Sequence, residues 1–84
     1  MNNKNAKILQ AVFSEPTAKD LPWEAVEALF RSLGATQTEG RGSRVKFDLE
    51  RRTLSLHRPH HPNMMRCYQV ESIREFLQEL GIKP

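Results

Sequence analysis

A chain of 84 residues, 38% hydrophobic and 27% charged, has room for one domain with a short tail and a modest core, and this composition excludes a disordered chain. One cysteine, Cys67, excludes an internal disulfide; no run approaches ~18 apolar residues and "MNNKNAKILQ" has no signal-peptide core, so the expectation is a soluble cytoplasmic protein with no membrane partner. The net charge of +3 is unevenly spread: residues 41–66 hold seven Lys and Arg against two acids, a local +5, which fits either a phosphate-bearing partner or a solvated hairpin.

Ile8, Leu9, Val12 and Phe13 recur at helical spacing and predict a short helix over residues 4–13, ended by Pro16 within "SEPTAKD". Docked arm and loose tail both stand open for this segment. A second helix is predicted over residues 22–33. Pro22 suits its first position, Glu24 and Glu27 suit its positive dipole end, and Gly34 closes it. Val26, Leu29, Phe30 and Leu33 form its apolar stripe, with Trp23 at the core edge.

From Ala35 the period becomes two. "ATQTE" reads as a polar edge strand and "GRG" as a turn. Val45, Phe47 and Leu49 then alternate with Arg44, Lys46 and Asp48 in a half-buried strand. A turn over residues 50–52 leads into Leu54 and Leu56, which alternate with Thr53, Ser55 and His57. Matching the apolar faces pairs Leu49 with Leu54 and Phe47 with Leu56, sets Lys46 opposite His57, and leaves Arg44, Lys46, Ser55 and His57 on the other face.

"HRPHHPNMMRCY" is a loop, because Pro59 and Pro62 cannot continue a central strand. A last helix carries Val70, Ile73, Phe76, Leu77 and Leu80, and Gly81-Ile82 forms its Schellman stop. Two amphipathic helices stacked on one face of a three-stranded antiparallel meander make an α+β fold. This is the α-β-β-β-α arrangement of double-stranded RNA-binding domains with an extra short N-terminal helix. Residues 1–20 form the extension and residues 21–84 the domain.

Three runs, "GSRVKF", "LHRPHHP" and "YQVESIREFLQELGI", together resemble the HicA toxin family of bacterial toxin–antitoxin systems, and "LPWEAVEALFRSLGA" behind an extension resembles a HicA-like subgroup. The resemblance covers residues 21–82. It is carried by Gly42-Ser43 entering a strand, by the His-Pro-rich loop, and by the closing helix that ends at Gly81-Ile82. It implies an mRNA interferase, an endoribonuclease that needs no metal or other cofactor and is held inactive by a HicB-type antitoxin. In the family pattern the residue after Gly-Ser is the catalytic histidine. This chain has Arg44 there, and Val45 where a second histidine often follows.

That departure matters chemically. Cleavage of RNA by its own 2′-hydroxyl needs a base for that proton and an acid for the leaving 5′-oxygen, roles that histidine fills. Arginine stays protonated, so Arg44 is expected to stabilise the phosphate and not to abstract a proton. His57, on the same face, is the candidate acid/base; its structural alternative is to cap a strand end by bonding a backbone carbonyl. Arg41, Ser43, Lys46, Arg58 and His60 are the candidate RNA-binding residues.

Plainer roles stand beside these. Loop histidines such as His60 and His61 are usually only solvated, and a serine in a glycine turn bonds locally. No CxxC spacing supports zinc, and Pro59 and Pro62 stiffen the loop that holds the histidines, so no metal site is expected. Cys67 reads as a small interior hydrophobe, Met64 and Met65 as flexible contacts at a loop or an interface, and Trp23 and Tyr68 as helix-start packing ahead of base stacking. Three functions remain: a HicA-like ribonuclease, a catalytically silent RNA-binding domain that reads duplex shape, and a module whose only ligand is an antitoxin.

Overall fold

The computed structural model describes residues 2–60 and 63–84; His61 and Pro62, named above as loop residues, lie outside the described residues. The elements run α1 (Asn3–Val12), α2 (Trp23–Ser32), β1 (Thr36–Glu39), β2 (Arg44–Leu49), β3 (Arg52–His57) and α3 (Cys67–Glu79).

Helix α1 starts where the Asn2 side chain accepts the Asn5 N–H at 2.8 Å, which satisfies one orphan donor of the first turn. It docks as an arm. Leu9 and Val12 are buried in the common core, and α1 packs against α2 and α3. Its C-terminal end is held by Arg74 of α3, which donates to the Val12 carbonyl (2.9 Å) and the Ser14 carbonyl (3.0 Å) and pairs with Glu15 (3.0 Å).

Pro22 is the N-cap of α2, one residue ahead of the first helical position expected for it. Both α2 and α3 end in Schellman motifs. Gly34 and Gly81 hold φ of 93° and 76°, conformations that glycine adopts without a Cβ clash. Ala35 N–H reaches back to the Phe30 carbonyl (3.0 Å) and Ile82 N–H to the Leu77 carbonyl (2.9 Å).

The sheet is antiparallel in the order β1-β2-β3. Its hairpin register differs from the one expected. Leu49 faces Arg52, Phe47 faces Leu54, Val45 faces Leu56 and Arg44 faces His57. The chain reverses over Glu50 and Arg51 alone, with Glu50 at φ 57°, and this tighter turn slides β3 by two positions. Matching apolar faces fixes only whether the offset is odd or even, so the expected faces are kept while the partners change.

Val45, Phe47 and Leu56 point toward the helices. Phe30 stacks on Phe47 with centroids 4.4 Å apart, flanked by Trp23 and Phe76. Met65 also belongs to this core, not to a loop surface. The segment at residues 63–65 pairs with the entry to α2, Met65 N–H donating to the Leu21 carbonyl (2.8 Å) and Trp23 N–H to the Asn63 carbonyl (3.2 Å). The α+β fold is that of a double-stranded RNA-binding domain with an added N-terminal helix.

Candidate nucleic-acid interface

Strand alternation leaves one sheet face without a helix. Arg44 and Lys46 of β2, Ser55 and His57 of β3, and Thr38 of β1 are exposed there. Asp48 lies on the same face at the far end of the hairpin, where it accepts a hydrogen bond from Thr53. Positive charge is therefore concentrated at the Arg44–His57 end.

The pairing type brings these two residues close. The Ser43 carbonyl accepts the Arg58 N–H (2.7 Å), while the Arg44 carbonyl turns away to Gly40 N–H (2.8 Å) and the His57 carbonyl to Gln69. Arg44 and His57 thus form a non-hydrogen-bonded pair, the kind in which side chains approach most closely. Arg44, Lys46 and His57 share one face as expected, and Arg44 is nearer His57 than the expected register allowed.

Two contacts fix His57. Its Nδ1 lies 3.2 Å from Ser43 Oγ, and its carbonyl accepts from Gln69 Nε2 at 2.8 Å. Gln69 is buried at 3% exposure, and its side-chain oxygen accepts the Arg66 N–H at 3.0 Å, so one amide ties the end of β3 to the start of α3. Among the described residues the His57 ring meets the Ser43 hydroxyl and no backbone carbonyl. In the tautomer whose Nδ1–H donates to Ser43, Nε2 keeps its lone pair and can accept a proton.

The remaining candidates scatter. Arg41 is exposed in the β1–β2 turn. Arg58 continues the alternation onto the helix side. Its guanidinium pairs with Glu39 (2.9 Å) and Glu27 (3.6 Å) and lies 5.6 Å from the Trp23 ring centre, so its charge is largely engaged inside the fold. His60 lines a groove of about 660 Å³ between the His57 end of the sheet and the first turn of α3. Lys19, Arg66 and Tyr68 line it too. Cys67 is exposed in that groove and is not an interior residue, because the first position of α3 lies off its buried stripe. Among the described residues no three His, Cys, Asp or Glu side chains gather as a metal site.

The sequence reading passed over Gln69 and Lys19. Gln69 did leave a signal: it stands in register with Ile73 and Phe76 at i, i+4, i+7, a polar residue on an apolar stripe.

The family model "HicA toxin of bacterial toxin-antitoxin" matches residues 23–82. The chain belongs to the HicA toxin family. No curated relative and no solved structure matches it. The match to this toxin spans α2, the sheet and α3, and therefore Arg44, His57 and Gln69, while α1 precedes it. As a HicA-family member the protein is the toxin of a toxin–antitoxin pair. None of its helices is long and apolar enough to cross a membrane among the described residues.

Proposed function

We propose that this toxin is an endoribonuclease that cuts mRNA on the uncovered sheet face, and that a HicB-type antitoxin neutralises it in the cytoplasm. The observation that carries the reading is the cross-strand pair of Arg44 and His57, with the imidazole held through Nδ1 by Ser43.

In this mechanism Arg44 and Lys46 grip the scissile phosphate, and the planar fork of Arg44 takes up charge on the pentavalent phosphorus. His57 Nε2 removes the 2′-hydroxyl proton. The 2′-oxygen–phosphorus bond forms as the phosphorus–5′-oxygen bond breaks, giving a 2′,3′-cyclic phosphate and a 5′-hydroxyl. The 5′-oxygen takes its proton from solvent water at the exposed sheet face, and the His57 imidazolium returns a proton to solvent. No metal enters any step. His57 thus replaces the histidine that the family pattern has at position 44. Residues 21–84 are the acting domain, and residues 1–20 stabilise it.

A labelled transcript incubated with purified protein in EDTA tests this. Wild type and His60→Ala should cleave, and His57→Ala should cleave about 10²–10⁴-fold more slowly. A wild type that binds the transcript steeply with falling salt yet never cuts it would leave the second reading, a silent RNA-binding toxin relative. Arg44 at the position of the family histidine favours that second reading.

A further inference from the structure

The groove beside His57 carries features that the cleavage chemistry leaves unused. Tyr68, the second residue of α3, is 61% exposed and is the one exposed large hydrophobic side chain among the described residues. A single tyrosine on a surface is ordinary; its setting here is not. The α3 side chains that serve the core are Gln69, Val70, Ile73, Phe76 and Leu77, so Tyr68 stands off that stripe and on the groove wall.

Arg66 and Lys19 line the same groove, and neither enters an ion pair among the described residues. Lys19 arrives from the segment ahead of α2, whose Ala18 carbonyl lies 4.0 Å from Cys67 Sγ at the start of α3. No carboxylate is among the described lining residues. The volume, about 660 Å³, falls within the roughly 300–1,000 Å³ of sites that hold small molecules or parts of polymers. His57 and Ser43 line the groove while His57 also stands on the sheet face, so one strand can run from one region into the other without a break.

A flat aromatic ring sharing one groove with two cations, and with no carboxylate among the described lining residues, suits a nucleobase on a phosphate chain. We propose that the groove binds an unstacked nucleotide next to the one at Arg44 and His57, its base on the Tyr68 ring and its phosphate between Arg66 and Lys19. The substrate is then single-stranded RNA. A duplex keeps its bases stacked on each other and offers no free face to Tyr68, although this fold class is better known for duplexes. The inference rests on the reading of the sheet face as RNA-binding.

Binding of a short fluorescent 2′-O-methyl oligoribonucleotide, which cannot cleave itself, tests it against the same oligonucleotide annealed to its complement. Wild type should prefer the single strand. Tyr68→Ala should weaken single-strand binding roughly 5- to 150-fold, the range for losing one base stack, and Tyr68→Phe should retain it. The salt slope of log K should stay unchanged in Tyr68→Ala and flatten by about 0.7 in Arg66→Ala and in Lys19→Ala. Tyr68 is exposed, so circular dichroism should find its variants folded. Equal affinity for both forms, or wild-type binding by Tyr68→Ala, overturns the groove; if Arg44→Ala still weakens binding in that case, the sheet-face reading survives. Failure of wild type to bind either form, or to lose affinity on Arg44→Ala, overturns both. A Tyr68→Ala protein that loses only its antitoxin assigns the groove to a protein partner and rejects the nucleotide.

Discussion

Arg44 and Arg74 carry the same guanidinium into opposite circumstances. Arg74 lies between α3 and the end of α1, 15% exposed, with two backbone carbonyls and a carboxylate around it. Arg44 stands on an open sheet face and meets no carboxylate among the described residues. A charge whose donors are satisfied within the fold stabilises structure. A charge left unsatisfied beside a histidine is available to a ligand. Arg58 falls between the two, lining the groove while Glu39 and Glu27 hold its head.

The contrast can be broken by substitution. Of the four substitutions that test it, Arg44→Ala should have the largest effect: cleavage should fall about 10²–10³-fold, as for loss of one transition-state donor, with the melting temperature unchanged. If instead the protein unfolds and turnover per folded molecule holds, Arg44 belongs with Arg74. Arg74→Ala should do the reverse, costing about 2–3 kcal/mol in urea unfolding because it strands two carbonyls and the end of α1, while RNA affinity stays level. Gln69→Leu sharpens the comparison from a third side. It leaves the His57 carbonyl and the Arg66 N–H without their partner, so about 1–2 kcal/mol of stability should go, and kcat should drop more than KM rises. The smallest effect belongs to Arg52→Ala. Its pair with Glu79 is more than half exposed on both sides, and its loss should change stability by no more than about 1 kcal/mol.

Much of the scaffold was legible because burial writes itself into spacing. The stripes of α2 and α3, the alternation of β2, and both glycine stops follow from single positions such as Val26, Phe47, Gly34 and Gly81. The hairpin partners were not legible, because Glu50 adopts a left-handed conformation that nothing in its side chain advertises. The site shows the same limit. Face parity was enough to bring Arg44, Lys46 and His57 together, but the contacts that hold His57 come from Ser43 and from Gln69 on another element. Such pairings carry no local pattern. Arg58 could have been placed better, since two-residue periodicity continued past His57 already assigns it to the helix side. The clamp on the end of α1 is Arg74, an ordinary polar position on the sequence.

The layering of the fold has a practical consequence. Because α1 rests on α2 and α3 and the helices cover one sheet face, the face that carries Arg44 and His57 looks outward on the side without a helix. A dye or affinity handle joined ahead of Asn2 therefore attaches through a helix that packs on α2 and α3. Protein tethered to a sensor chip by that handle would leave the proposed RNA-binding face open to a flowing transcript.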